Sequence, residues 1–308
     1  MNIKHMEYFI VLAKEKSFSK ASQVLGITQP TLSQSVQKME TVLGAALFDR
    51  SFATLTLTKE GEIFLRACKK TCDIYNRTIS EIADMNNGLN GKVRLGIAPF
   101  RVQYVLPKIT KEFLQRYPHT VLEVEELIYD DMMRELETGG LDLVVTAYDG
   151  KAGMKFTSVP IGREEVLVAV HKNLVAKNKK LKEYALSEEI QKVSFSSFAD
   201  TKFIMLGDDQ MLCRQLKSLA EKSGITLQTA VRCNTVDTSV SLANNSVGAA
   251  LVLSTGLEYY SGMFPDLRFF SISTGNTERT VSIIYRKNQY LSNPVKAVID
   301  ILTKGNEK

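Results

Sequence analysis

The side chains with the clearest chemical potential lie on one predicted helix near the N-terminus, where amides and hydroxyls share a face. Leu32, Val36 and Met39 recur at helical spacing and predict an apolar face on that helix. The opposite face carries Gln29, Ser33, Gln34, Gln37 and Lys38. Amides and hydroxyls hydrogen-bond to base edges and phosphates, whereas a merely solvated helix face usually carries Glu/Lys pairs. The pattern therefore favours a helix that reads duplex DNA over the alternative, a three-helix packing unit with a polar surface.

Motifs for catalysis or metal binding are missing from the sequence. It contains no G-x-S-x-G elbow, no P-loop and no H-E-x-x-H motif. Its four cysteines and three histidines stand without the spacing of metal ligands, at Cys68, Cys72, Cys213, Cys233, His5, His119 and His171. We therefore expect no enzyme activity, no cofactor and no structural metal. An enzyme with a nucleic-acid anchor is the least favoured function.

The overall composition is that of a globular protein of two or three domains. The chain of 308 residues is 44% hydrophobic and 24% charged, with a formal net charge of +5 that permits nucleic-acid binding without requiring it. No apolar run is long enough to cross a membrane, and residues 1–7 lack the apolar region of a secretory signal. We expect a cytoplasmic protein with free thiols and no membrane partner.

The first sixty residues predict a winged helix-turn-helix. A long first helix precedes two helices that a turn at Gly26 joins. Ser19 is the expected N-cap of the second helix and Thr28 that of the third. The predicted elements are, in order, helices over about 3–16, 20–25 and 29–43, strands over 47–50 and 54–57, and a helix from Lys59. The two strands would form the wing beside the helices.

Five short motifs occur in this segment in one order. They are Ser17-Phe18-Ser19-Lys20-Ala21-Ser22, Gln29-Pro30-Thr31-Leu32-Ser33, Leu43-Gly44, Leu47-Phe48-Asp49-Arg50 and Leu57-Thr58-Lys59-Glu60-Gly61. Over residues 1–65 the chain thereby resembles the LysR-type transcriptional regulators. The resemblance implies that residues 1–58 form the DNA-binding domain. The expected DNA contacts then also include Ser19, Pro30, Thr31 and Arg50.

Two departures from the family pattern affect the contacts that this protein is expected to make with the DNA backbone. Gln34 stands where the family commonly has arginine, and the segment 51–54 between the predicted strands carries no charge. Fewer cations release fewer counterions on binding. We therefore expect a DNA affinity that depends less steeply on salt than in relatives with basic wings.

A long helix over about 59–87 carries one apolar stripe. Its members are Phe64, Cys68, Cys72, Tyr75, Ile79 and Ile82. The stripe packs either on the chain's own domain or on a second copy, and the resemblance implies dimerisation through this helix. A dimer would place two recognition helices on a dyad-symmetric site. Residues 86–91 have the composition of a hinge, so we assign residues 59–90 to the linker helix and hinge.

Strands and helices alternate through residues 91–308. The predicted strands cover 93–98, 121–126, 141–146, 156–161, 166–170, 203–206, 227–233, 248–253, 267–272 and 280–285. This alternation predicts two α/β halves with a cleft between them. The fold class is then α/β, with an N-terminal all-α winged helix-turn-helix and, as the resemblance implies, a C-terminal periplasmic-binding-protein-like domain of two subdomains. We place subdomain I at about 91–161 and 266–303, and subdomain II at about 162–265.

The expected ligand-binding residues lie beyond the carboxyl ends of strands and near helix N-termini, where open α/β sheets bind ligands. They are Pro99, Phe100, Arg101, Val102, Tyr129, Thr146, Leu206, Gly207 and Thr235. Arg101 is the only cation among them, and it either pairs with a carboxylate or phosphate of the ligand or is a solvated surface arginine. We expect a small anionic or aromatic effector.

The peroxide-sensing branch of the LysR family carries a reactive cysteine soon after the strand predicted over 203–206. Met211 takes that place here and Cys213 lies two residues further, so peroxide sensing is not favoured. The favoured function is a ligand-responsive transcription regulator that binds dyad-symmetric promoter DNA as a dimer or tetramer, with RNA polymerase as a further partner. The alternative is a cytoplasmic solute-binding protein without DNA function.

Overall fold

The computed structural model describes residues 2–51, 54–85, 91–148, 155–275 and 277–304. The N-terminal module consists of helices α1 (Ile3–Glu15), α2 (Phe18–Leu25) and α3 (Gln29–Leu43), followed by strands β1 (Phe48–Asp49) and β2 (Thr56–Leu57). β1 and β2 pair antiparallel as a wing, and α4 (Lys59–Met85) leads out of the module. The predicted winged helix-turn-helix is confirmed.

Capping interactions explain where α2 ends and where α3 begins and ends. The Thr28 side chain accepts a hydrogen bond from the backbone N–H of Thr31 at 3.3 Å, which confirms Thr28 as the cap. Gly26 and Gly44 end α2 and α3 in the left-handed region, at φ values of 64° and 65°. Glycine adopts that conformation without steric cost, so both helices stop where the sequence predicts.

The cap of α2 differs from the prediction. The helix begins at Phe18 rather than at Lys20, and Ser17 caps it by accepting a hydrogen bond from the Lys20 N–H at 3.4 Å. Ser19 is therefore a residue of the first turn. Ser17 has the extended backbone that an N-cap requires, and this conformation decides between two equally suitable hydroxyls.

An aromatic cluster joins the helices of the module to its wing. The ring of Phe9 in α1 lies 5.1 Å from that of Phe48 in β1 and 4.9 Å from that of Phe64 in α4, measured between centroids. Leu32 and Val36 of α3 are completely buried against the same core. Burying one such side chain stabilises the fold by about 1.5–3 kcal/mol. The apolar side of α3 thus holds its polar side outward.

The C-terminal domain follows the predicted alternation. Its elements are β3 (Gly91–Ile97), α5 (Pro99–Arg116), β4 (Thr120–Glu126), α6 (Tyr129–Thr138), β5 (Leu143–Ala147), β6 (Phe156–His171), α7 (Lys172–Lys177), β7 (Gln191–Val193), β8 (Lys202–Met205), α8 (Met211–Lys222), β9 (Gln228–Arg232), α9 (Val236–Asn244), β10 (Ala250–Leu253), α10 (Leu257–Met263), β11 (Leu267–Ile272), β12 (Glu278–Arg286) and α11 (Asn293–Lys304). β3 pairs in parallel with β4 and β5, and β12 pairs antiparallel with β5 and β6. The predicted two-subdomain α/β fold is confirmed.

β6 crosses from one subdomain to the other. Its first part pairs with β12, and its last part pairs with β10 and β11. The prediction of two separate strands, over 156–161 and 166–170, is therefore wrong. The polar run between them, residues 162–165, is strand rather than loop, because its backbone pairs with β12.

β11 belongs to subdomain II, which moves the boundary predicted at residue 266. It pairs with the last part of β6 and with β7, and all six of its residues are buried. A strand whose residues are all buried needs cover on both faces, and subdomain II provides it. The chain therefore returns to subdomain I between β11 and β12, where β12 and α11 complete it.

Candidate functional site

The polar face of α3 is open to solvent. Gln29, Pro30, Thr31, Gln34, Gln37 and Lys38 are exposed and Ser33 is half-buried. On the other side of the helix, Leu32, Val36 and Met39 are no more than 2% exposed. One helix thus separates a packed face from a face of amides and hydroxyls, the arrangement with which a recognition helix reads base edges in the major groove.

Arg50, just after β1, is partly engaged within the module. Its guanidinium lies 3.1 Å from a carboxylate oxygen of Glu40 and 5.6 Å from the ring centroid of Phe18. Ser19 is exposed in the first turn of α2. Because Glu40 offsets the charge of Arg50, the wing offers DNA less positive charge than its sequence suggests. The uncharged wing residues 52–53 lie outside the described residues.

The apolar stripe of α4 divides into a buried half and an exposed half. The buried half consists of Phe64, Cys68 and Cys72, and the exposed half of Tyr75, Ile79 and Ile82. The prediction that the buried half forms a dimer interface is wrong, because α4 packs there against α1 and these side chains are at most 8% exposed within their own chain. The exposed half, at 48–51% exposure, remains available to a partner.

A cleft of about 810 Å³ lies between the two subdomains. Seven of the nine predicted ligand-binding residues line it, namely Pro99, Phe100, Arg101, Val102, Tyr129, Thr146 and Thr235. Leu206 and Gly207 are not among its lining residues, and their assignment to the cleft is wrong. Leu206 is only 5% exposed because it packs into the core of subdomain II.

Four helices begin at this cleft. The first residues of α5, α6, α8 and α9 line it, namely Pro99, Tyr129, Met211 and Val236. Thr235 caps α9 by accepting a hydrogen bond from the Thr238 N–H at 3.1 Å, whereas α5, α6 and α8 have no side-chain cap. The start of a helix presents backbone N–H groups and the positive end of the helix dipole, so the cleft favours an anion.

A buried cluster of charges forms the base of the cleft. Arg101 and Arg279 each place a guanidinium nitrogen 2.5 Å from Oε1 of Glu164, whose side chain is completely buried. The Nε atoms of both arginines are buried without a hydrogen-bond partner. Burial, together with the nearby Arg101, lowers the pKa of Arg279 from its ordinary value. One carboxylate against two guanidiniums leaves an excess positive charge within this cluster.

The interpretation of Arg101 as a solvated surface arginine is wrong, whereas its pairing with a ligand stays a prediction. Arg101 is 2% exposed and already paired within the protein. Sequence reasoning missed Glu164 and Arg279. Their only signal is a position among polar residues next to apolar strand segments, for Glu164 in the middle of β6 and for Arg279 at the start of β12.

Carboxylates occupy the rim of the cleft. The exposed ones are Glu126, Asp130, Asp209 and Glu278. Asp237, deeper in the cleft, accepts hydrogen bonds from the side chain of Gln103 at 3.0 Å and from the Tyr260 hydroxyl at 2.8 Å. The Gln103 bond joins the two subdomains across the cleft. A positive base and a negative rim would orient a ligand with its anionic end inward.

Metal and membrane sites do not appear in the described part of the chain. Among those residues, no group of three or more His, Cys, Asp and Glu side chains could hold a metal ion. No helix within the same ranges is long and apolar enough to cross a membrane. All four cysteines are free.

A winged helix-turn-helix joined by a long helix to a two-subdomain domain with a charged cleft defines a DNA-binding regulator with a ligand-binding domain. Residues 3–62 match the model of the bacterial regulatory helix-turn-helix protein, lysR family. Residues 86–306 match that of the LysR substrate binding domain. The chain belongs to the LysR family of transcription regulators, and it is not an enzyme. The alternative of a solute-binding protein without DNA function is set aside, because the helix-turn-helix is present.

Similar proteins match over nearly the whole chain. YcgK of Bacillus subtilis, an uncharacterised helix-turn-helix regulator, is 28% identical over 98% of this chain and 94% of its own length. The Escherichia coli K12 regulator OxyR is 23% identical over 93% of this chain and 90% of its own. Full-length CbnR complexed with its target DNA has the same fold, with a TM-score of 0.66 at 17% identity over 99% of both chains. A full-length OxyR variant from Pseudomonas aeruginosa has a TM-score of 0.69 at 20% identity, over 99% of this chain and 94% of its own.

Cys213, the cysteine nearest the reactive position of the peroxide-sensing branch, should react slowly with hydrogen peroxide. It is 1% exposed in α8, and burial and its hydrogen bond to Asp208 raise the pKa of its thiol. Thiolates rather than thiols react with peroxide, so a raised pKa slows oxidation. Burial raises the pKa of the Cys233 thiol as well, so the difference in exposure separates the two cysteines. Mass spectrometry after brief peroxide treatment should find Cys233, which is half-buried, oxidised before Cys213. Selective oxidation of Cys213 within seconds would contradict this expectation.

Proposed function

We propose that this regulator binds a small monoanionic metabolite in its cleft, such as a carboxylic acid with an apolar or aromatic body. The observation that carries the proposal is the excess guanidinium where Arg101 and Arg279 share Glu164. A carboxylate seated there would offset that charge and pair with the guanidinium of Arg279, the more exposed of the two arginines. The uncapped starts of α5, α6 and α8 add positive potential at the same place.

The rest of the cleft suits an apolar body. Its walls include Phe100, Val102, Leu127, Ile128 and Tyr148. The carboxylates at the rim would repel a second anionic group at the far end of a ligand, so a monoanion fits better than a dianion. Binding would favour one relative placement of the two subdomains by the difference in affinity between the two placements.

Carboxylic acids compared with their primary amides test this proposal, because the amide keeps the shape and removes the charge. A ligand that binds only the folded protein stabilises it by about 2.7 kcal/mol at 100 times its Kd. We expect a bound acid to raise the melting temperature of the full-length protein, its amide to have no effect, and Arg279→Gln to abolish the shift.

The matched control is Arg163→Gln, which removes an exposed arginine beside Glu164 that does not line the cleft. This variant should keep the shift. Amides that stabilise as strongly as the acids, or a shift that survives Arg279→Gln, would contradict the proposed ligand class.

We infer that α3 reads promoter DNA as part of a dimer on a dyad-symmetric site. Gln29 and Gln34 would read base edges, and Ser33 and Lys38 would hold phosphates, a proposal that their position on the open polar face of α3 supports. The exposed half of the α4 stripe supplies apolar area for the dimer contact. The dimer, or a tetramer of two dimers, would act on RNA polymerase at the promoter, in the cytoplasm.

Two substitutions on α3 should separate base reading from backbone grip. Gln34→Ala is expected to lose about 1–3 kcal/mol of discrimination between the best site and its single-base variants. Lys38→Gln should weaken binding to all sequences alike and make the plot of log affinity against log salt shallower by about one unit. Fluorescence anisotropy at several salt concentrations measures both. A loss of DNA affinity by the same factor on every sequence for Gln34→Ala would contradict the base-reading role of Gln34. A salt slope of the wild-type protein as steep as in relatives with basic wings would contradict the expected weak dependence on salt.

A further inference from the structure

Asp73 of α4 is buried in the contact between that helix and subdomain I. Its side chain is 4% exposed and lies 3.0 Å from Arg286 of β12, 3.4 Å from Arg94 of β3 and 2.7 Å from Arg77 of its own helix. A Cβ added at Gly139, at the end of α6, would overlap the Asp73 side chain. The carboxylate therefore occupies a fitted recess of subdomain I rather than solvent.

Further contacts hold α4 to subdomain I on both sides of Asp73. Lys69, one turn before it, pairs with Glu135 of α6 at 2.5 Å. Asp84, near the end of α4, accepts a hydrogen bond from the Tyr290 hydroxyl at 2.7 Å. The contact thus extends along about four turns of helix. The DNA-binding module packs on the other half of α4, so this helix joins the module to subdomain I.

Two strands connect this contact with the ligand cleft. β12 carries Arg286 at the α4 end and Arg279 at the cleft end. β3 carries Arg94 at the α4 end and leads into Arg101 at the cleft end. The two arginines of β12 are seven positions apart, from 279 to 286, or about 23 Å along an extended strand. At the cleft end Glu164 joins Arg279 to Arg101, and at the α4 end Asp73 joins Arg286 to Arg94. Arg94 also pairs with Asp142 at 2.7 Å, so Arg286 is the more direct link from β12 to Asp73.

We propose that Asp73 is a positioning residue that transmits the state of the cleft to the DNA-binding module. The proposal rests on the ligand-binding role proposed for the cleft and concerns the path by which occupancy reaches DNA. An anion that competes with Glu164 for Arg279 displaces the cleft end of β12. Arg286 carries the displacement to Asp73 and α4, because a close-packed interior transmits strain instead of absorbing it.

A double-mutant cycle on the full-length protein tests this path without any ligand. Arg279→Gln perturbs the cleft end and leaves Glu164 paired with Arg101 alone, while Asp73→Asn perturbs the α4 end and keeps the shape of the side chain. Affinity for a promoter site selected by the wild-type protein is measured for both single variants and the double variant. Effects of distant, independent substitutions multiply to within about twofold. We expect Arg279→Gln to change DNA affinity at least about fivefold alone, and less than about twofold when Asp73 is already replaced.

Glu62→Gln is the matched control, since Glu62 is an exposed carboxylate on α4 for which the described residues offer no side-chain bond. Its effect should multiply with that of Arg279→Gln. Equal affinity of every variant for a non-specific duplex shows that the DNA-binding module remains folded. Where Asp73→Asn fails to fold, Arg286→Lys takes its place, because it keeps the charge and loses the planar fork.

Multiplicative effects of Arg279→Gln and Asp73→Asn overturn the proposal, and so does an Arg279→Gln variant with unchanged DNA affinity. Either result leaves the anionic ligand of the cleft in place, because the comparison of acids with amides decides that question separately. Non-multiplicative effects that Glu62→Gln does not reproduce support the path through Asp73.

Discussion

Replacing Glu164 by alanine is expected to lower the free energy of unfolding of the C-terminal domain by about 3–5 kcal/mol, the usual effect of removing one partner from a buried ion pair. The Glu164 side chain is completely buried against Arg101 and Arg279. Without it, two guanidiniums stay close together and largely buried with no counter-charge. Urea unfolding of the full-length protein, followed by circular dichroism, measures the loss.

A triple replacement separates the role of this cluster in stability from its role in ligand binding. Arg101→Met and Arg279→Met combined with Glu164→Leu remove every charge at the base of the cleft. Exchanging a whole buried ion cluster for apolar residues is often neutral or stabilising, so most of the stability should return. Binding of carboxylic acids should be lost in this triple variant, because both guanidiniums are gone. A Glu164→Ala variant within about 1 kcal/mol of the wild type, as for an exposed pair, would contradict the account.

Gly61→Ala should destabilise the N-terminal module by about 1–3 kcal/mol or more, although alanine favours helices over glycine. Gly61 lies in the first turn of α4, where an added Cβ would overlap the carbonyl oxygen of Leu47 and lie 3.0 Å from a methyl carbon of Leu57. A backbone oxygen cannot rotate away as a side chain does, so α4 must shift from the wing. Thermal unfolding should show a lower melting temperature, and DNA affinity should fall with it.

Gly262→Ala provides the matched control for this prediction. Gly262 also lies in a helix, α10, and an added Cβ there meets nothing within 4 Å. Ordinary helix propensity then applies, and the variant should be as stable as the wild type or more stable by up to about 1 kcal/mol. A Gly61→Ala variant that behaves like Gly262→Ala would show that α4 and the wing are not in close contact.

Features that depend on neighbouring residues were predictable from the sequence. The cap at Thr28 and the helix end at Gly44 follow from side-chain chemistry within one turn, and both are confirmed. The start of α2 could not be predicted, because Ser17 and Ser19 are equally good N-caps and only the backbone conformation of the folded chain distinguishes them. The buried half of the α4 stripe was assigned to a dimer because an apolar face predicts burial without saying what buries it.

The parts of the candidate sites that follow from the general geometry of open sheets were predictable from the sequence. The ion pairs between residues far apart in the sequence were not. Strand ends and helix starts located most of the cleft, because every open α/β sheet places them together. The pairing of Glu164 with Arg279 joins residues 115 positions apart, and that of Asp73 with Arg286 joins residues 213 apart. Charged residues ordinarily predict an exposed surface, so their burial became visible only in the folded chain.

Selection of bound duplexes from a randomised DNA pool, with and without a set of carboxylic acids and their amides, tests the central claim most directly. That claim is that α3 reads a dyad-symmetric site and that an anion bound in the cleft changes how the protein binds that site. We predict enrichment of an interrupted dyad by the full-length protein, and a change in its enrichment or spacing with at least one acid but not with its amide. Failure of the folded protein to enrich any dyad at low salt would contradict the role of α3. An enriched dyad that no acid alters, or that amides alter equally, would contradict the role of the cleft.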